Sequence, residues 1–146
     1  MSRELILSQK LIENRIFNVR GNQGMVDFHL AELYAVETKR INEQVKRNIK
    51  RFPNSFMFQL TATEWRHLQS QIATTENEIG LQSQIATTKR RTLPYIFTEQ
   101  GVAMLSAVLN SGLAIMVSVQ IMDAFVSMRK LILENSLLSN RSIFDY

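Results

Sequence analysis

The chain has 146 residues, which fits a single domain, since typical domains contain about 100–200 residues. Hydrophobic residues make up 45% of it and charged residues 21%, so the chain can bury a core, and wholesale disorder is excluded. With no cysteine and only two histidines, His29 and His67, it cannot form disulfide scaffolds, thiolate zinc sites or histidine-rich metal sites. The lack of cysteine fits a reducing compartment, and we expect a cytoplasmic protein.

Basic residues are concentrated in two short segments, although the formal net charge is only +4. Segment 38–51 holds six Lys or Arg against one Glu, and Lys89, Arg90 and Arg91 form a second block. The rest of the chain is therefore acidic. Such clustering is the electrostatic pattern of a polyanion binder, while a solvated helix face with a charged loop is the alternative.

Two short strands and a helix are predicted at the beginning of the domain. Residues 16–20 and 25–27 have strand character, and Gly21–Gly24 supply the residues of a hairpin turn. Asp27 is the predicted N-cap of a short helix that ends near Val36.

A second, amphipathic helix is predicted from Thr38, as N-cap, to Phe52, before Pro53 ends it. Its apolar stripe consists of Ile41, Val45, Ile49 and Phe52. Its basic residues occupy the opposite half of the helical wheel, with Asn42, Gln44 and Asn48 on the flanks. The pattern thus predicts one face in the core and the other presented to a partner.

A strand at 55–60 and a further helix follow. Thr61 and Glu64 have the spacing of a capping box, and Leu60 and Trp65 that of a hydrophobic staple, so this helix is predicted to run from Thr61 to about Gln69 or a little beyond.

An octet, LQSQIATT, occurs at 68–75 and again at 81–88. Two copies are too few for a solenoid. We interpret the repeat as a local duplication that enlarges a surface loop, with a hairpin that turns at 76–80 as the alternative.

The C-terminal part is predicted to be a strand at 93–97 followed by a helical hairpin. Thr98 caps a helix from Glu99 to Leu109, and a last helix runs from about Ser111 to at least Ile132. Residues 101–122 carry no charge, but the turn residues 110–112 split this run, which favours a hairpin in a soluble domain over a membrane span. The last helix is apolar on most sides, which indicates a place in the core or a dimer contact. We assign 1–133 to the domain and 134–146 to a polar C-terminal tail, which we expect to be frayed from Asn135.

Two successive helices joined by a tight turn have the organisation of a helix-turn-helix, whose second helix enters the major groove of DNA. Lys39, Arg40 and Arg47 are candidates for phosphate or guanine, and Asn42 and Gln44 for adenine. Lys46, Lys50 and Arg51 are candidates for phosphate contacts, and Lys89, Arg90 and Arg91 for a wing or arm.

Motifs of catalysis and cofactor binding are missing from the sequence. It has no GxSxG elbow, no P-loop and no pair of acids at a spacing typical of a two-carboxylate or metal site. We therefore expect no enzymatic activity, no cofactor and no metal.

Six ordered segments also match a known pattern: VDFHLAELY at 26–34, TKRINEQVKRN at 38–48, RFP at 51–53, FMFQL at 56–60, LPYIFTEQGVAML at 93–105 and QIMDAF at 120–125. Together, over about Ile12 to Arg129, they resemble the KilA-N superfamily, and within it the phage-type Orf-six N-terminal domain. The resemblance implies a small α+β DNA-binding domain of phage regulators, with contacts on 38–51.

The expected fold is α+β, with a small antiparallel hairpin, a helix-turn-helix-like helix pair and a C-terminal helical hairpin. The expected function is duplex-DNA binding by a prophage-type transcriptional regulator. The alternative is an antirepressor that binds a repressor protein, and a homodimer through the last helix is a separate expectation.

Overall fold

The computed structural model describes residues 9–78 and 92–144. Four strands form one antiparallel sheet in the order β1-β2-β4-β3, so the predicted α+β class is confirmed. The strands are β1 (Phe17–Val19), β2 (Asn22–Val26), β3 (Met57–Gln59) and β4 (Tyr95–Thr98). The helices are α1, described over 9–13, α2 (Asp27–Tyr34), α3 (Thr38–Arg47), α4 (Ala62–Glu78), α5 (Glu99–Leu109) and α6 (Gly112–Phe144).

Each face of the sheet carries a hydrophobic cluster, because successive strand residues point to opposite sides. Met25 and Phe97, which pair across β2 and β4, belong to the cluster formed with α2, α3, α5 and α6. The next pair, Val26 and Ile96, belongs to the cluster that contains Trp65 of α4. The sheet therefore separates α4 from most of the helical layer that carries α3.

The first hairpin turns at Arg20 and Gly21, and the predicted turn at Gly21–Gly24 is wrong. Val19 pairs with Asn22, and the two residues between them have φ of 54° and 76°, as a two-residue hairpin turn requires. Arg20 adopts this unusual backbone while its Nε and Nη2 donate to the Glu64 carboxylate at 2.7 and 2.8 Å. A long-range ion pair thus accompanies the turn.

Asp27 and Thr38, the predicted N-caps of the helix pair, are not the capping residues. Val26 and Glu37 are the capping residues of α2 and α3, and neither makes a side-chain cap bond. Asp27 is instead the first residue of α2, fully buried, where its carboxylate accepts hydrogen bonds from other elements.

The turn between α2 and α3 is a tight left-handed cap. Ala35 has φ 57° and ψ 42°, and the N–H of Val36 donates to the Ala31 carbonyl at 3.0 Å while that of Ala35 donates to Glu32 at 3.2 Å. These two bonds form a Schellman motif, which ends α2 and lets α3 begin three residues later.

The amphipathic helix ends earlier than Phe52. The α-helix stops at Arg47, where Asn48 turns its side-chain amide back to the Gln44 carbonyl at 2.8 Å, and a 3-10 turn follows at Ile49–Arg51. The change of helix type rotates Ile49 away from the predicted core stripe, and it is 56% exposed.

Helix α4 is longer than predicted and continues to Glu78. The capping box is confirmed, because Thr61 N donates to Glu64 Oε1 at 2.8 Å and Glu64 N donates to Thr61 Oγ1 at 3.1 Å. The first octet is helical and buries Leu68 and Ile72, so it is not a loop, and residues 76–78 are not a turn. The second octet lies outside the described residues.

The C-terminal helical hairpin is confirmed. Thr98 caps α5 by accepting from Gly101 N at 3.3 Å, and α5 ends at Asn110, which has φ 45°. Helix α6 extends to Phe144, so the prediction that the chain is frayed from Asn135 is wrong.

Among its described side chains, helix α6 is buried on one face and exposed on the other, so the predicted place in the core applies to one face only. By length and composition alone, Gly112–Leu138 is apolar enough to cross a membrane, with a mean hydropathy of 1.3. A core helix of a soluble protein passes the same test.

Candidate nucleic-acid interface

Helix α3 is fixed to the domain by a narrow apolar face. Ile41 is fully buried and Val45 is 4% exposed, and both belong to the cluster that also contains Met25 and Phe97. Phe52 follows the 3-10 turn and packs edge-to-face on Phe97, with ring centroids 6.1 Å apart. These contacts hold both α3 and the 3-10 turn that follows it, and they leave the opposite face of this segment in solvent.

That opposite face is cationic. Its exposed residues are Lys39, Arg40, Lys46, Arg47, Lys50 and Arg51. At about 100° per residue, the four on α3 centre about 180° from Ile41 and Val45. We call these six residues the cationic face.

Little within the described chain neutralises the cationic face. Lys39 Nζ lies 3.9 Å from Glu43 Oε1, with both side chains more than half exposed. An exposed pair of this kind contributes little binding energy and is readily exchanged for another anion. The positive charge therefore remains available to a polyanion.

Asn42 does not belong to this exposed surface. It is half-buried, and its Nδ2 donates to Asp27 Oδ2 at 3.4 Å, while its Oδ1 is buried without a hydrogen-bond partner among the described residues. The backbone N–H of Tyr95 donates to the same Asp27 oxygen at 3.3 Å. The amide donor that adenine recognition would require is thus engaged inside the domain.

Gln44 lies on the other flank of α3 and is also half-buried. Among the described residues its side chain makes no hydrogen bond to another element, which distinguishes it from Asn42. The second basic block, Lys89, Arg90 and Arg91, lies outside the described residues.

A cleft of about 410 Å³ borders the cationic face. Its lining includes Lys46 and Ile49 from the α3 segment and Thr92, Leu93 and Tyr95 from the chain that enters β4. The exposed Ile49 is an apolar group beside cations, although the helical periodicity of the sequence predicts that it lies in the core. The signal that could have revealed it is Asn48, a poor helix former directly before it.

The polar contacts around the buried Asp27 were also missed by sequence reasoning. Asp27 was interpreted only as a cap, and Tyr95 only as a strand residue. Their contacts with each other and with Asn42 join segments 15 and 68 residues apart, and no local pattern encodes such a pairing.

Comparison with known proteins gives one match. Searches of curated proteins and of solved structures find nothing similar. The model of the ORF6N domain matches residues 14–108, which contain the whole sheet, α2, α3 and most of α5. The match ends before 120–125, so the resemblance noted there lies outside it. Since 14–108 is well over half of the chain, the protein belongs to the ORF6N domain family.

Proposed function

We propose that the protein binds duplex DNA through the cationic face. The observation that carries this proposal is the exposure of six Lys and Arg side chains opposite the buried Ile41 and Val45. Lys and Arg contacts to phosphate supply most of the affinity of proteins for DNA. Membership in the ORF6N family supports the assignment to a phage-type domain of the KilA-N kind.

The arrangement of α2 and α3 is suited to the major groove. Two short helices joined by a tight turn have the form of a helix-turn-helix, in which the second helix enters the groove. Helix α3 is about 15 Å long at 1.5 Å per residue, and the groove is about 12 Å wide. We assign guanine or phosphate contacts to Lys39, Arg40 and Arg47, and a base contact to Gln44.

The remaining cations have a positioning role in this proposal. Lys46, Lys50 and Arg51 contact phosphates, with Lys50 and Arg51 offset from the helix by the 3-10 turn. Lys89, Arg90 and Arg91 form an additional backbone or minor-groove contact. We propose that Asn42 contributes no base contact. The protein is then a non-enzymatic, cytoplasmic regulator of transcription.

Salt-dependent binding to a duplex tests the proposal. Four to six phosphate contacts predict that log K falls with log salt concentration with a slope of about −4 to −5. Reversing two charges, with Lys46→Glu and Arg47→Glu together, should reduce this slope by about 2 and weaken binding at low salt.

A matched control reverses two exposed cations outside the cationic face, Lys10 of α1 and Arg66 of α4, to Glu. This control has the same net charge as the α3 variant, and it should bind DNA nearly as tightly as the parent does. The proposal is wrong if the parent shows no binding at low salt or if the α3 variant binds as tightly as the parent. Capture of a repressor protein without any DNA binding would favour the antirepressor alternative.

A further inference from the structure

Helix α6 has two distinct faces. One packs into the domain through Ala114, Ser118, Ile121, Ala124 and Phe125. Ser118 Oγ shares a buried hydrogen bond of 2.7 Å with the hydroxyl of Tyr34 on α2, which fixes the rotation of the helix. The other face is therefore held in a defined direction away from the domain.

This outer face carries a stripe of exposed apolar residues. Its members are Ile115, Val119, Val126, Leu133 and Leu137, which are between 37% and 59% exposed. At about 100° per residue they lie within about 40° of one another, and their centre is about 130° from that of the buried face. We call them the outer stripe.

The far half of α6 extends beyond the packed part of the domain. Every residue from Leu131 to Leu138 is exposed, and five of these eight are Leu or Ile. A helical segment that packs on nothing is marginally stable in water, and contiguous exposed apolar surface marks an interaction site. The segment is therefore a candidate interaction surface.

We infer that the partner is a second copy of this chain, paired antiparallel along α6 with the two-fold axis at Val126. The outer stripe has spacings of 4, 7, 7 and 4 residues, which are the same in both directions. A two-fold interface needs such self-complementarity, because residue i must meet j where j meets i. Ile115 then meets Leu137 of the partner subunit, and Val119 meets Leu133 of the partner subunit.

Charge complementarity selects the antiparallel orientation. Asp123 and Lys130 border the outer stripe at nearly equal distances on either side of Val126. Within the described part of the chain, neither has an ion-pair partner. In an antiparallel pair each faces the opposite charge, whereas a parallel pair would set Asp123 against Asp123 and Lys130 against Lys130.

The outer stripe supplies a large part of the apolar surface that a stable dimer needs. Its five residues are 37–59% exposed, which amounts to on the order of 500 Å² per protomer, against about 800 Å² per partner in a standard interface, where apolar residues form the core and polar residues the rim. A bilayer is a poorer occupant, because Asp123, Arg129 and Lys130 would lie near the middle of the span at a cost of about 3 kcal/mol each.

Molar mass in solution, measured without DNA, detergent or lipid, tests the pairing independently of the proposed function. The parent should have a mass of about twice 16.9 kDa. Leu133→Glu, on the fully solvated part of the outer stripe, should weaken dimerisation by about 30-fold or more. The control Leu113→Glu changes a residue outside the stripe that is also about half exposed, and it should leave the mass unchanged.

Introduced cysteines test the orientation, since the parent has none. A mixture of the Ile115→Cys and Leu137→Cys variants should form a disulfide-linked dimer between the two, and each variant alone should not. A monomeric parent, a disulfide within Ile115→Cys alone, or flotation of monomers with lipid vesicles would overturn the inference.

Discussion

The side-chain amide of Asn42 on α3 donates to the buried carboxylate of Asp27, the first residue of α2, across 3.4 Å. The same carboxylate accepts the backbone N–H of Tyr95 at 3.3 Å as the chain enters β4. One buried group thus joins the two helices of the pair and the sheet. It adds a polar contact to the apolar packing of Ile41 and Val45 that fixes the orientation of α3.

Asn42→Ala should therefore lower stability rather than alter base preference. Losing a donor to a buried carboxylate costs about 1–3 kcal/mol of unfolding free energy. Gln44→Ala, on the other flank, is the matched control and should change stability by less than about 0.5 kcal/mol. Denaturant unfolding measures both effects. If Asn42→Ala unfolds like the parent but selects different duplex sequences, Asn42 reads bases and our assignment is wrong.

Ala35→Gly should stabilise the protein by up to about 1 kcal/mol. Ala35 is exposed and has φ 57°, a left-handed backbone that costs an L-residue about 1–2 kcal/mol and glycine much less. The same substitution at the exposed, helical Ala107 is the control, and it should destabilise by about 1 kcal/mol. If thermal unfolding shows that both glycine substitutions lower the stability, the left-handed turn between α2 and α3 is contradicted.

His29 should make the protein sensitive to mild acid. It is 2% exposed between Phe17 and Phe28, and neither ring nitrogen has a hydrogen-bond partner among the described residues. Burial, with a smaller contribution from the positive charge of Arg15, lowers its pKa to about 3.

Because this folded pKa lies below the unfolded value of about 6.5, the unfolded chain binds a proton that the folded protein does not. The free energy of unfolding is thus retained at pH values above the unfolded pKa. It decreases as the pH falls below that value, by about 2 kcal/mol between pH 7 and pH 5. Urea unfolding at several pH values should show this loss in the parent and in the exposed-residue control His67→Gln. It should be absent in His29→Leu, and an unchanged pH profile in that variant would assign the acid sensitivity to other groups.

Several elements of the fold could be predicted because their signals are local. The capping box of Thr61 and Glu64 and the Thr98 cap each join residues three positions apart. Such bonds form within one turn of helix, so they can be predicted from the sequence. Helix α4 nevertheless continues to Glu78 because Leu68 and Ile72 pack against the sheet, and packing of that kind has no local marker.

The sequence by itself determined that α3 has a cationic half and an apolar half, because helical periodicity and charge order suffice to place them. It also determined where α5 ends, because Asn110 accepts the left-handed backbone that stops a helix. Only the tertiary structure decided that Asn42 points inward, that Ile49 is exposed and that one face of α6 remains uncovered. These outcomes depend on contacts between residues far apart in the chain, whose geometry exists only once the helices have packed on the sheet.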